Sequence, residues 1–158
     1  MKVLVILGDG GHTADTLKLV SLLGPKYEYS YVMGNKDGIS EGKIKFPGPI
    51  YRAPVPHGKT QRLLASLRPV IKCTLREFAI LRQARPHVIL NGASGIGVPI
   101  SILGRLMGAK VIYLENASRV FTLSLSGRIL YHIAHLYFVQ WPYTKAKYPK
   151  VIYAGRLI

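Results

Sequence analysis

The chain has 158 residues, and its 22 Lys and Arg against 7 Asp and Glu give a formal net charge of +15, while 49% of it is hydrophobic. This length predicts one domain over 1–158 that needs no disulfide to form a core. The apolar content excludes a disordered basic tail, and the pI near 10.2 favours a polyanionic partner: nucleic acid, an anionic membrane or a phosphorylated ligand.

The first predicted elements are a strand, a glycine-rich turn and a helix. Residues 2–7 (KVLVIL) form an apolar, β-branched run that is typical of a strand buried on both faces. The turn GDGGHT follows, and the segment 14–23 has the apolar spacing of a helix that stops at Gly24-Pro25. The next predicted elements are a strand over 27–33, a polar loop over 34–48 and a short strand over 50–53.

A basic helical region is predicted over 61–84, with a kink or restart at Pro69. It is amphipathic, and Glu77 is the only acid among seven basic residues between 59 and 85. Two interpretations remain open: a crossover helix with a solvated basic face, or a helix that lies in a membrane interface. The membrane contacts expected in the second case are Lys59, Arg62, Leu63, Leu64, Leu67, Arg68 and Lys72.

The rest of the chain repeats the order of strand, turn and helix. The predicted elements are strands over 87–91, 109–115, 136–141 and 151–154, and helices over 98–108 and 125–135. This alternation predicts an α/β fold, a Rossmann-like parallel sheet with helices on both faces. Because ligands bind beyond the carboxyl ends of the strands in such sheets, the turns after the strands are the candidate sites.

The first candidate turn contains Gly8, Gly10, Gly11, His12 and Thr13. Glycines let a ligand approach the backbone, and free amides at a helix start favour a phosphate. The turn lacks the dinucleotide fingerprint, because Thr13 stands where that fingerprint has Gly or Ala. We therefore favour an anion or acceptor site over an NAD site, and over a plain tight turn capped by His12.

Two further turns are candidates. The first contains Asn91, Gly92, Ser94 and Gly95, and suits either a second phosphate contact or close packing of helix on sheet. The second contains Glu115, Asn116 and Arg119. Its carboxylate either pairs with an arginine or acts on a sugar hydroxyl as a general base. The single cysteine excludes a Cys-based zinc site, His132 and His135 read as packing or surface residues, and no metal is expected.

Several segments of the sequence resemble the Alg14-like family, which includes the PssD-like polysaccharide proteins. They are GDGGHTADTL near the start, Ser118-Arg119, LSLSG at 123–127, VQWP at 139–142, KYP at 147–149 and GRL at 155–157. The resemblance covers nearly the whole chain. It implies a fold equivalent to the N-terminal, acceptor-binding half of a GT-B glycosyltransferase of the MurG type.

The resemblance also implies a function and partners. It implies a subunit that recruits an Alg13-like donor-binding chain. The pair would add a sugar to a polyprenyl- or dolichyl-diphosphate-linked sugar, and GlcNAc is the first candidate for the added sugar. The UDP-sugar would be held mainly by that partner, so we expect no cofactor on this chain and no activity from it alone. The eukaryotic members usually carry a membrane helix before the first strand, whereas this chain begins at the strand. Peripheral attachment to the cytoplasmic face of a membrane, plasma membrane or endoplasmic reticulum, is therefore expected through surfaces such as 59–85.

Within this hypothesis, His12 is the first candidate for the base that takes the acceptor's proton, and Glu115 is the second. The glycine turns, Asn116 and Arg119 would contact the acceptor diphosphate or its first sugar. Two alternatives remain: a basic nucleic-acid-binding protein with a Rossmann-like core, and a non-catalytic membrane anchor for the partner. The family resemblance leads us to expect no nucleic acid partner.

Overall fold

A computed structural model describes residues 1–8, 11–35, 37–53 and 67–157, and for 11–12 and 67–73 it describes the backbone alone. The described chain contains seven strands and five α-helices. The strands are β1 (Lys2–Ile6), β2 (Glu28–Gly34), β3 (Ile50–Ala53), β4 (Val88–Asn91), β5 (Lys110–Leu114), β6 (Leu136–Val139) and β7 (Ile152–Tyr153). The helices are α1 (Gly11–Leu23), α2 (Leu67–Ala84), α3 (Gly97–Leu106), α4 (Leu125–Leu130) and α5 (Pro142–Lys147).

All seven strands are parallel and form one sheet in the order β3-β2-β1-β4-β5-β6-β7. This is the doubly wound order predicted for a Rossmann-like fold, and its direction reverses between β1 and β4. Ile6 pairs with Asn91 at the carboxyl ends of those two strands. The turns that follow β1 and β4 therefore lie on either side of the position where such sheets bind ligands.

The core lies on both faces of the sheet. On one face, Leu4 and Ile6 of β1 pack with Leu81 of α2 and Ile100 of α3. On the other face, alternate residues of β1 and β2 pack against α1 through Val20. A third apolar cluster joins β5 and β6 to α4. Strands buried on both faces read as continuous apolar runs, which explains why the sequence indicated them well.

The basic helical region predicted over 61–84 is described from Leu67 onward, as α2. Within the described residues α2 begins at Leu67, so Pro69 lies in its first turn, where a proline is tolerated. The kink or restart expected at Pro69 stays a prediction, because residues 61–66 lie outside the described ones. Of the expected membrane contacts, Lys59, Arg62, Leu63 and Leu64 lie outside the described residues, as do the side chains of Leu67, Arg68 and Lys72. None of the helices in the described ranges is long and apolar enough to cross a bilayer.

One helix prediction was wrong near the C-terminus, and one helix was missed. The helix predicted over 125–135 ends at Leu130, and turn residues follow it. The sequence also gave no helix after β6, yet α5 begins there with Pro142 in its first turn and Trp141 in the N-cap position. Proline has a fixed φ and no N–H, so it suits this position, and it was a helix start signal that the sequence reading passed over.

Candidate functional site

The turn after β1 leads directly into α1. Gly8 is buried, Gly10 lies outside the described residues, and Gly11 and His12 form the start of the helix with only their backbone described. Thr13 is buried, donates its hydroxyl hydrogen to the carbonyl of Gly8, and lies 3.3 Å from the Ser40 hydroxyl oxygen. The Thr13 side chain therefore fixes the turn. The structure places Gly11, His12 and Thr13 in the first turn of a 13-residue helix, whose dipole favours an anion.

The turn after β4 is fixed by Asn91, whose side chain is fully buried. Its carbonyl oxygen accepts from the Ser94 N–H at 3.1 Å, and its amide donates to the Ser101 hydroxyl at 3.2 Å. A Cβ on Gly92 would lie 1.6 Å from the Thr16 hydroxyl oxygen, whereas a Cβ on Gly95 would meet nothing within 4 Å. Packing against α1 thus explains Gly92, and Gly95 leaves open space beside the turn.

The turn after β5 starts at Glu115, whose side chain has 0% exposure. Its Oε1 accepts from the Asn116 N–H at 3.0 Å. Its Oε2 accepts from the Ser124 N–H at 3.0 Å, the Ser124 hydroxyl at 3.2 Å and the Tyr137 hydroxyl at 2.7 Å. The carboxylate is therefore bonded to both ends of the loop over 116–124, which we call the β5–α4 loop.

The tyrosines beside Glu115 remain hydrogen-bond donors. Burial, followed by the nearby Glu115 carboxylate, raises the pKa of Tyr113 to about 12 and raises the pKa of Tyr137 well above its ordinary value. The Ser124 hydroxyl accepts from the Gly127 N–H at 3.0 Å and caps α4. It also lies 3.0 Å from the Tyr113 hydroxyl oxygen. The result is a connected network of buried hydroxyls around one carboxylate.

Residues from α1 and from the start of α5 hold the β5–α4 loop from outside. The Ala117 N–H donates to Asp15 of α1 at 3.4 Å, and its carbonyl accepts from the Trp141 indole at 2.6 Å. The Thr144 hydroxyl donates to the Val120 carbonyl at 2.8 Å. Arg119 is exposed, and Asn116 accepts from the Ser118 N–H at 2.8 Å through its side-chain oxygen. The loop backbone is thus fixed while the Arg119 side chain faces outward.

Asp15 and Gln140 belong to this site, and the sequence reading did not select either as a site residue. Gln140 is buried just after β6 and donates to the Asp15 carboxylate at 3.0 Å and to the Glu115 carbonyl at 3.3 Å. Its side-chain oxygen accepts from the Leu157 N–H at 3.2 Å. The signal available in the sequence is the VQWP motif at 139–142, which is one of the segments that carry the family resemblance.

The three predicted turns converge on the beginning of α1. The β4 turn touches α1 at Thr16, and the β5–α4 loop touches it at Asp15. Both residues lie about one helical turn from His12. The amides at the start of α1, the open glycine turn and the exposed Arg119 are groups that suit a phosphate or diphosphate.

Solved structures with the same fold identify the architecture to which this sheet belongs. The chain superposes on MurG from Acinetobacter baumannii over 98% of its length, with a TM-score of 0.76 and 17% identity. A UDP-N-acetylglucosamine 2-epimerase from Rickettsia bellii matches 99% of the chain with a TM-score of 0.69 and 12% identity. The chain spans 45% of each of these two proteins. Its fold is that of one Rossmann-like half of a GT-B protein.

Sequence comparison then gives the family. The chain matches the family described as "Oligosaccharide biosynthesis protein Alg14 like" over residues 3–157, and it belongs to that family. It is 32% identical to UDP-N-acetylglucosamine transferase subunit ALG14 of Rattus norvegicus, covering 99% of this chain and 82% of the relative. The corresponding subunits of Homo sapiens and Candida albicans are 31% and 32% identical, with 83% and 77% of each relative covered.

Proposed function

We propose that this chain is the acceptor-binding subunit of a two-chain glycosyltransferase at the cytoplasmic face of a membrane. The enzyme transfers a sugar from a UDP-sugar to a sugar linked to a polyprenyl or dolichyl diphosphate, and GlcNAc is the first candidate for the transferred sugar. One observation carries the proposal: the chain has half of a GT-B architecture and matches, over nearly its whole length, relatives named as UDP-N-acetylglucosamine transferase subunits.

The partner in this proposal is an Alg13-like chain that binds the donor. A GT-B enzyme has two Rossmann-like halves, and the name "subunit" of the relatives indicates that the activity is shared between chains. The UDP-sugar is held mainly by the partner, which also stabilises the departing diphosphate. This chain binds the lipid-linked acceptor, orients its hydroxyl and supplies the base that takes the hydroxyl proton.

The acceptor site is the convergence around the start of α1. The helix-start amides at Gly11–Thr13 and the open turn at Gly95 accommodate the diphosphate, and Arg119 pairs with its charge. The buried side chains of Asn91 and Thr13 hold these turns in place rather than facing the ligand. Catalysis then depends on the orientation of the acceptor hydroxyl towards the donor sugar.

In the transfer step, the acceptor hydroxyl oxygen forms a bond to the anomeric carbon and the bond from that carbon to the UDP oxygen breaks. UDP leaves with the bonding electron pair, and the hydroxyl proton moves to the imidazole of His12. An imidazole suits this task because its ordinary pKa lies near neutral pH. Glu115 is the weaker candidate for the base, since its carboxylate is buried and accepts four hydrogen bonds from the protein.

Attachment to the membrane is assigned to the α2 region. In the described part of α2, Leu75 and Phe78 are 63% and 40% exposed. Arg76 and Arg82 are exposed beside them, with the Arg82 guanidinium 6.0 Å from the centre of the Phe78 ring. Exposed apolar side chains among arginines are typical of a helix that lies on an anionic bilayer.

Sugar transfer to a short-chain polyprenyl-diphosphate GlcNAc, measured with both chains present, tests this function. We expect transfer from UDP-GlcNAc that requires both chains and falls at least about 100-fold in His12→Ala. His132→Ala is the matched control, because His132 is an exposed histidine outside the site, and its rate should equal that of the wild type. Transfer by the partner alone at the full rate would contradict the proposed role of this chain.

A further inference from the structure

We propose that Glu115 is a positioning residue: its carboxylate closes the β5–α4 loop and thereby holds Arg119 in the orientation that binds the acceptor diphosphate. The identity of this ligand rests on the proposed function. The carboxylate bonds to Asn116 at the first residue of the loop and to Ser124 at the last. One side chain therefore joins the two ends of a nine-residue segment.

The surroundings of Glu115 fit a fixed hydrogen-bond acceptor. Each bond that its two carboxylate oxygens make in the described part of the chain comes from a protein N–H or O–H, and the side chain has 0% exposure. A Cβ on Gly127 would lie 2.2 Å from Oε2, so the approach of α4 to this carboxylate requires glycine. A general base must come within hydrogen-bond reach of its substrate, at about 2.6–3.2 Å. Glu115 has no open side from which a substrate hydroxyl reaches it.

The loop that Glu115 closes carries the exposed Arg119 and contacts α1 at Asp15. The Arg119 N–H donates to the Asn116 carbonyl at 3.0 Å, next to the residue that Glu115 holds. Ala117, two residues earlier, contacts Asp15 of α1 at 3.4 Å. A guanidinium binds phosphate oxygens in a fixed, bidentate geometry, so a displaced backbone lowers its affinity for a diphosphate. A loosened loop should therefore lower the affinity for the acceptor.

The anchoring is tested first on this chain alone, by hydrogen exchange of backbone amides in the Glu115→Gln variant. Gln has the same shape but places an NH₂ group where the protein presents donors. We expect the Asn116 and Ser124 amides to exchange at least about tenfold faster, while core amides such as Val5 keep their rates. Tyr137→Phe and Ser124→Ala each remove one donor to Oε2 and keep the test informative if Glu115→Gln fails to fold. Unchanged exchange in folded variants would overturn the anchoring.

The positioning role is tested in the two-chain transfer assay. We expect Glu115→Gln to raise the acceptor KM about tenfold or more and to leave the pH dependence of kcat unchanged. Arg119→Ala should raise the same KM, and the double variant should be little worse than either single variant, because both act on one contact. A wild-type KM in folded Glu115→Gln would overturn the role, and so would a loss of kcat together with the acidic limb of its pH profile, which identifies a base.

The two experiments separate this role from the proposed function. Faster exchange of Asn116 and Ser124 with no sugar transfer by the wild-type pair would retain the anchoring by Glu115 and reject the proposed function. Sugar transfer by the wild-type pair, with amide exchange and acceptor KM unchanged in the variants, would retain the proposed function and reject the role of Glu115.

Discussion

The side-chain amide of Gln140 donates to the carboxylate of Asp15 across 3.0 Å, and the two residues are 125 positions apart in the sequence. Both side chains are buried. Asp15 comes from the first turns of α1 and Gln140 directly follows β6, so this bond connects the start of α1 with the end of the strand beside the β5–α4 loop. Asp15 also accepts from Ala117 of that loop.

Removing the Asp15 carboxylate should destabilise the fold. Asp15→Ala removes this acceptor from the Ala117 N–H, and it removes the nearer of the two acceptors of the Gln140 side-chain NH₂ group, the other being the Glu115 carbonyl at 3.3 Å. We expect a loss of about 1–3 kcal/mol in the free energy of unfolding, measured by urea denaturation. Glu28→Ala is the matched control, because Glu28 is an exposed carboxylate 3.9 Å from the terminal amine, and it should cost less than about 0.5 kcal/mol. Equal losses in the two variants would contradict the assignment.

Two glycines of the β4 turn should respond differently to alanine. A Cβ on Gly92 overlaps the Thr16 side chain, and overpacking of this kind costs about 1–3 kcal/mol. A Cβ on Gly95 meets open space, so Gly95→Ala should leave the unfolding free energy unchanged. If the diphosphate lies against this turn, the same methyl raises the acceptor KM. Thermal unfolding of both variants, followed by transfer kinetics of Gly95→Ala, checks this pair, and a destabilised Gly95→Ala would contradict it.

Glu77 should make stability fall as the pH rises. Burial raises the pKa of this carboxyl to about 7, and its Oε2 has no hydrogen-bond partner within the described ranges. Because the folded state favours the protonated form, the stabilisation is complete below the unfolded pKa of about 4.3 and is lost as the pH passes through about 7.

The Glu77→Gln variant isolates this effect. We expect its free energy of unfolding to exceed that of the wild type by about 2–3 kcal/mol at pH 8 and to match it near pH 4. Urea denaturation at the two pH values measures the difference. A difference that is the same at both pH values would show that titration of Glu77 is not its cause.

Membrane attachment should depend on where the positive charge lies, not on the total charge. Replacing Lys59, Arg62, Arg68 and Lys72 by Gln should abolish co-sedimentation with vesicles that contain anionic lipid, since each basic residue near the surface contributes about 1 kcal/mol. The control removes the same charge through four exposed lysines elsewhere, Lys26, Lys43, Lys45 and Lys110, and should retain binding. Equal loss in both variants would indicate a non-specific effect of net charge. Tight, salt-sensitive binding to DNA would instead support the nucleic-acid alternative.

The parallel sheet and its glycine turns could be predicted because they depend on local sequence. Buried strands such as Lys2–Ile6 and Val88–Asn91 are short apolar runs, and each glycine turn follows its strand directly. The end of α4 could not be predicted, because apolar residues continue past Leu130 in a helical spacing. α5 was missed because its six residues carry few apolar side chains.

The contacts within the site lay beyond the sequence reading for a different reason. Glu115 reads as an isolated acid in a basic segment, and only the fold brings Ser124 and Tyr137 onto its carboxylate. The bond from Gln140 to Asp15 joins opposite ends of the chain and leaves no local pattern. Sequence alone predicted which turns form the candidate site, whereas the fold separates the residues that hold those turns from those that are exposed.

Calorimetric titration of this chain alone tests the central claim most directly. The chain is titrated with a short-chain polyprenyl-diphosphate GlcNAc in one experiment and with UDP-GlcNAc in a second. An acceptor-binding subunit should bind the lipid-linked acceptor, lose most of that affinity in Arg119→Ala, and show little or no binding of UDP-GlcNAc. Binding of UDP-GlcNAc without binding of the acceptor would assign this chain to the donor half and contradict the account.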